Sequence, residues 1–221
     1  MKKIQRFVWV LLGLAGLVGG TSYAGIFSDS WRYRMTVTVE TPEGIKTGSA
    51  VREVKVIKGL KLTPQMLPEI EVKGEAVVVD LGKRGVLFML VDGDYGADIL
   101  FKMFPGEDKK GKITLTPEQY PMFAMLKDLN NPMTVEQVCE KTFCEKVQWA
   151  TGRKTIDFDQ LGVSVKEVTI EITREPVTWG IDKRLPWLGG IKGGYLDGKF
   201  AGGGPALSNI LHGGHFKRGE K

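Results

Sequence analysis

The residues whose types and spacing could do chemistry are few. His212 and His215 are the only histidines, and a His-Gly-Gly-His spacing can bring two imidazoles to one metal ion. No acid or cysteine stands close in sequence to complete such a ligand set. The preferred reading is a polar tail, with no metal and no cofactor assigned. A Ser-His-Asp or Cys-His nucleophilic site would have to take its histidine from the same tail, so no catalytic residue is assigned. Asp92-Gly93-Asp94 and Asp157-Phe158-Asp159 are paired carboxylates. Such pairs can serve as acid and base in glycoside hydrolysis or open a calcium loop. Neither continues with further oxygen ligands, and turn chemistry explains both more simply. Phosphate-loop, dinucleotide and nucleophile-elbow motifs are absent, and Gly202-Gly203-Gly204-Pro205 has no strand–loop–helix frame around it.

Two further clusters carry more. Residues 179–188 hold Trp179, Asp182, Arg184 and Trp187 around Pro186. Aromatic residues beside arginine are typical interface anchors, and an indole can stack on a sugar. These four are the candidate binding residues. The plainer alternative has both tryptophans capping the β core and Arg184 bonded to Asp182 or a carbonyl. Cys139 and Cys144 are the only cysteines, and a disulfide between them is the candidate in an oxidising compartment. On one continuous helix, five positions turn the side chains about 140° apart, so the bridge requires a turn or a helix end between them.

The elements that must position these groups read mainly as strands. Trp31 to Glu40 alternates, with Tyr33, Met35, Val37 and Val39 on one face. Thr41-Pro42-Glu43-Gly44 makes a turn, and Ser49 to Ile57 returns, its alternation slipping near Arg52-Glu53. A bulge would account for the slip. Gly59 to Lys73 reads as a loop. Gly74–Leu81 and Gly85–Val91 form a second hairpin, whose continuous apolar runs point to strands covered on both faces. Ala97 to Phe104 suggests a short helical turn. Thr116-Pro117 starts a helix that Pro121 disrupts. Met122–Leu126 fits strand or helix, and Asn130-Asn131-Pro132 a turn. Thr134–Trp149 reads as partly helical and broken at the cysteines. Val165 to Thr173 is the last clear strand. Residues 189–204 contain eight glycines, and only Ile191, Tyr195, Leu196 and Phe200 look able to anchor them. That tail is expected to drape over the β domain or stay mobile.

Composition and the N-terminus set the compartment. The chain has 221 residues, 42% hydrophobic and 26% charged, which excludes wholesale disorder and a multi-span membrane protein. Of 31 cations, Lys2, Lys3 and Arg6 precede an uncharged run; the remaining 28 nearly balance 26 acids. The basic balance therefore gives no reason to expect a nucleic-acid partner. The basic start, the apolar run Phe7–Val18 and the small residues Ser22 and Ala24 fit an export signal cleaved between Ala24 and Gly25. The alternative is an uncleaved anchor over residues 7–26 that holds the protein to the inner membrane.

Met35-Thr36-Val37-Thr38-Val39-Glu40-Thr41-Pro42-Glu43-Gly44 and Thr47–Val51, with Gly74–Leu81, Lys127–Pro132 and the Gly180-Ile181-Asp182-Lys183-Arg184-Leu185-Pro186-Trp187-Leu188 stretch, resemble a family of uncharacterised exported or membrane-anchored proteobacterial proteins. The similarity spans about Trp31 to Trp187. It implies an envelope location and a single domain, and it carries no catalytic assignment. The Cys139/Cys144 segment departs from the family pattern, so a bridge there is particular to this chain.

The expectation is then an α+β fold, mainly antiparallel sheet with a few short helices, or alternatively a small β-sandwich. Residues 1–26 are a signal peptide or anchor, 27–188 one domain, and 189–221 a glycine-rich tail. The expected location is periplasmic, soluble or tethered to the inner membrane. Three functional classes follow: a non-enzymatic envelope protein that binds a protein or a cell-wall component, a carboxylate-dependent hydrolase, and a carrier of a small apolar ligand. The first is preferred.

Overall fold

The computed structural model describes residues 28–57, 69–91, 111–191 and 194–220. The export segment with Ala24 and Gly25, the Asp92/Asp94 pair and the helical turn expected over 97–104 lie outside these residues. The described residues fall into two units, 28–30 with 55–57 and 69–71 in one, and 31–54 with 72–91, 111–191 and 194–220 in the other. In the first, the described strand ends include Lys55 and Glu71, with Nζ and Oε2 4.0 Å apart.

The described residues are mainly β, in two sheets, with one α-helix and several single-turn 3-10 helices. The first sheet contains β1 (Ser28–Thr41), β2 (Gly44–Ile57), β3 (Glu69–Glu75), β6 (Lys112–Thr114), β10 (Ser164–Thr173) and β11 (Lys217–Arg218), in the order β11-β3-β2-β1-β10-β6. The alternation of β1 is kept in space: Tyr33, Met35, Val37 and Val39 are all buried. β10 lies antiparallel to β1, with Val37 opposite Val168, and the register shifts by one residue between Thr38 and Val39. At the turn, Thr41 Oγ1 donates to Gly44 O at 2.7 Å, which fixes the tight reversal.

The second sheet contains β4 (Val77–Asp80), β5 (Val86–Met89), β7 (Phe123–Leu126), β8 (Val135–Cys139) and β9 (Thr155–Asp157), in that order. Every residue of β5 and β7 is buried, as their unbroken apolar runs require of strands covered on both faces. On one face Phe88, Ala124, Leu126 and Val135 pack with Ile181, Leu185, Leu196, Leu207, Leu211 and Phe216. All but one of the pairings are antiparallel; β8 and β9 are parallel, and α1 (Lys141–Thr151) connects them.

Only Ala76 separates β3 from β4, so one stretch of chain leaves the first sheet and enters the second. Strands that switch sheets at a bend make the corners of such folds. Here the Ala76 N–H donates to Phe216 O at 2.8 Å, so the C-terminal segment closes the corner.

Three segments differ from the sequence reading. Glu69–Lys73, expected in a loop, is the first part of β3; Pro64 and Pro68 stand before the strand and not inside it. The 134–149 stretch is partly helical and broken at the cysteines as expected, but its first part is a strand. Val135–Cys139 pairs with β7, and the helix begins only at Lys141. The tail anchors through Leu196, Leu207, Leu211 and Phe216, whereas Phe200, expected to anchor, is 83% exposed.

Candidate binding cleft

The site is built on a buried cation that the sequence reading did not place in the core. Arg52 of β2 is 1% exposed. Its Nε donates to Glu75 O at 2.8 Å, and its Nη2 donates to Met89 O and Leu90 O at 3.1 and 3.2 Å. Charged donors on backbone acceptors are strong bonds in a dry interior. Tyr33 lies against the same guanidinium. Burial pushes its phenol above the ordinary tyrosine range, and the Arg52 charge and hydrogen bond oppose that rise. The slip in alternation near Arg52-Glu53 is the local sign of this arrangement: Ala50, Val51 and Arg52 are buried in succession.

Glu75, also buried, extends the network toward the surface. Its Oε1 accepts from Gly180 N–H at 2.5 Å and from Ile181 N–H at 2.9 Å. A carboxylate at the start of a helical turn meets backbone donors that lack partners within the turn. Gly180 has φ of +146°, a conformation that favours glycine. One step upstream, Thr178 Oγ1 accepts from Val51 N–H and Thr178 N–H donates to Val51 O. The 178–183 segment is thus held on β2 and the corner before it reaches the surface.

On that surface the four candidate residues separate. Asp182 is exposed and accepts from Lys217 Nζ at 2.5 Å. The same ammonium stands 5.7 Å from the centroid of the half-buried Trp179 ring. Arg184 is exposed and stands 3.5 Å from Asp80 Oδ2, so its acid is Asp80 and not Asp182. Trp187 turns inward. Its indole N–H donates to Leu129 O at 2.9 Å, and its ring meets Phe216 edge-on at 5.5 Å. Trp179, Lys217 and Asp182 therefore form one group, while Trp187 serves the core.

Beside this group lies an open cleft of about 620 Å³, within the range of small-ligand sites. Asp182, Lys217 and Glu220 supply charge, Tyr195 and Phe200 aromatic rings, and His212 an imidazole. Gly189, Gly194, Gly213, Gly214 and Gly219 bring bare backbone to the wall. Gly202 packs the segment onto its own aromatic: a Cβ there would stand 2.8 Å from Tyr195 Cζ and 3.0 Å from Asn209 O. Any side chain at 202 would displace the Tyr195 ring.

The two histidines meet, with ring centroids 4.0 Å apart. Nδ1 of His215 accepts from His212 N–H at 3.0 Å, so the spacing closes a turn over Gly213–His215. Among the described residues no three metal-binding side chains cluster. Asp157 Oδ1 accepts from Gln160 N–H at 2.8 Å, and Asp159 O accepts from Gly162 N–H. The Asp157 carboxylate and the Asp159 main-chain carbonyl therefore close the turn after β9.

Cys139 and Cys144 are joined, with Cα atoms 5.5 Å apart. One stands at the end of β8 and the other in the first turns of α1, with the bend at Glu140 between them. No helix among the described residues is long and apolar enough to cross a membrane.

Comparisons of the chain with family models, with curated proteins and with solved structures gave no match.

Proposed function

We propose that this chain is a non-enzymatic protein of the cell envelope that binds a cell-wall component in the cleft beside Asp182. The observation that carries the reading is the cleft itself. It is open, about 620 Å³ in volume, and places the exposed Phe200 and the half-buried Tyr195 beside Asp182, Lys217 and Glu220. Aromatic faces accept the apolar faces of sugar rings, and carboxylates and backbone groups accept and donate to hydroxyls and amides. The bonded cysteines support an oxidising compartment. The basic, apolar and small-residue order of residues 1–26 supports export, whether that segment is cleaved or kept as an inner-membrane anchor. As to fold, the reading is α+β, supported by the packing of α1 on β8 and β9.

The test is co-sedimentation of the full chain with purified cell-wall sacculi. The expected outcome is saturable capture that Phe200→Ala weakens by about tenfold, the loss of roughly 1.4 kcal/mol. Phe200 is 83% exposed, so its removal leaves the core intact. Absence of capture, or equal capture of the variant, rejects the reading.

A further inference from the structure

A second concavity, of about 530 Å³, lies between α1 and the segment that leads into β7. Its lining is aromatic. Tyr120 and Phe123 meet edge-on at 6.0 Å, and Phe123 and Phe158 do so at 5.5 Å. Phe123 and Phe158 are buried, whereas Phe143, on α1, is 43% exposed at the rim. The order of the rings follows from local structure. The 3-10 turn Pro117–Gln119, closed by the reciprocal Thr116 and Gln119 cap, presents Tyr120. The disulfide holds the first turns of α1 at the end of β8 and so fixes the position of Phe143.

Acidic charge predominates around this floor. Glu118 and Glu140 line the groove and are exposed. The Tyr120 phenol is pushed above the ordinary tyrosine range, first by burial and then by the charges of Glu140, Glu118 and Glu167. Two carboxylates, Glu118 and Glu140, and one cation, Lys146, thus line the groove. An anionic rim on an aromatic floor favours a cation whose neighbours are apolar. Extended proline-bearing peptides fit such floors at low entropic cost, because their backbone is already ordered.

We propose that this groove docks an extended segment of a partner protein that carries arginine beside proline. The prolines lie on Tyr120 and Phe143, and the guanidinium meets Glu118 and Glu140. This site is independent of the cleft beside Asp182.

The test is calorimetric titration of the full chain with three ten-residue probes: a proline peptide with two arginines, the same peptide with two glutamates, and polyproline. Saturable binding of the arginine peptide alone is expected. Phe143→Ala and Glu140→Gln should each weaken it by about tenfold, and 0.5 M salt should weaken it similarly. Both positions are exposed, and the circular dichroism of each variant should match that of the parent. Equal binding of the glutamate peptide or of polyproline overturns the assignment, as does no saturable binding. Self-association of the chain that Phe143→Ala abolishes would make the groove an interface between copies, and would equally overturn it.

Discussion

The C-terminal segment and α1 invert the usual relation between regular structure and core. The described residues of 181–216 contain only single-turn 3-10 helices, yet they give the second sheet Ile181, Leu185, Leu196, Leu207, Leu211 and Phe216, each at most 3% exposed. α1 is a full helix of 11 residues, and its one buried residue is Cys144. Its Trp149 is 90% exposed. The segment richest in glycine is therefore held by burial, and the most regular element by a covalent bond at one end. Glycine permits this because the chain must run close to its own rings, as at Gly202 beside Tyr195. Few large residues then suffice, provided that each enters the sheet.

The sharpest way to break the contrast is at Phe216. Its ring is fully buried between Phe88 and Trp187, and its carbonyl closes the corner at Ala76. Phe216→Ala should lower the unfolding free energy by about 3–5 kcal/mol, measured by urea denaturation. A loss under ~1 kcal/mol would mean that the segment is not part of the core.

Arg52→Met comes next. The substitution keeps an apolar stem but removes the donors to Glu75 O, Met89 O and Leu90 O. Leaving buried carbonyls unpaired should cost about 3 kcal/mol. The same change should loosen the Gly180–Ile181 turn that Glu75 holds, and so weaken sacculus capture more than a distant core variant of equal stability does. Equal weakening by the two variants would reduce Arg52 to a purely structural role.

How far the sequence foretold these features depends on whether the deciding contact is local. The alternation of Tyr33 to Val39 and the apolar runs of β4 and β5 are set by each strand's own pleat, and both could be read directly. β9 is three residues long, too short for a period to show. The burial of Leu207, Leu211 and Phe216 follows no helical or strand repeat, because 3-10 turns and loops deliver each one separately. Arg52 was legible only as an interruption of pattern, since residue type alone places arginine at the surface. At the cleft, Asp182 stood out among Trp179, Arg184 and Pro186. Lys217, Tyr195, Phe200 and His212 join it through the return of the C-terminal segment, which no local spacing encodes.

Removing the bridge probes the other half of the comparison. Cys139→Ser with Cys144→Ser opens a loop between positions five apart, so the loss should be about 2 kcal/mol by chain entropy. α1 should fray first, read as faster amide exchange over 141–151 than over β7. Uniform exchange across both would show that α1 is held by packing and not by the bond.

Tyr33 gives a smaller effect that depends on pH. The folded state keeps its phenolic proton to a higher pH than the unfolded chain does. The stability this contributes is complete below the unfolded value of about 10 and is lost as pH rises through the folded value. The urea midpoint should fall above about pH 10, and Tyr33→Phe should make that fall shallower.

The smallest effect is expected at Trp149, and it isolates what the helix contributes by packing. The ring is 90% exposed on α1, so alanine removes a large side chain from water and not from a core. Alanine also has the higher helix propensity, which offsets whatever contact the indole makes with its own helix. The unfolding free energy should therefore move by less than ~0.5 kcal/mol. Against the loss of 3–5 kcal/mol at Phe216, this would separate the two aromatics by burial alone, although the better-formed element carries the lesser one. A loss above 1 kcal/mol at Trp149 would place that ring against another part of the chain, and the contrast between the two regions would fail there.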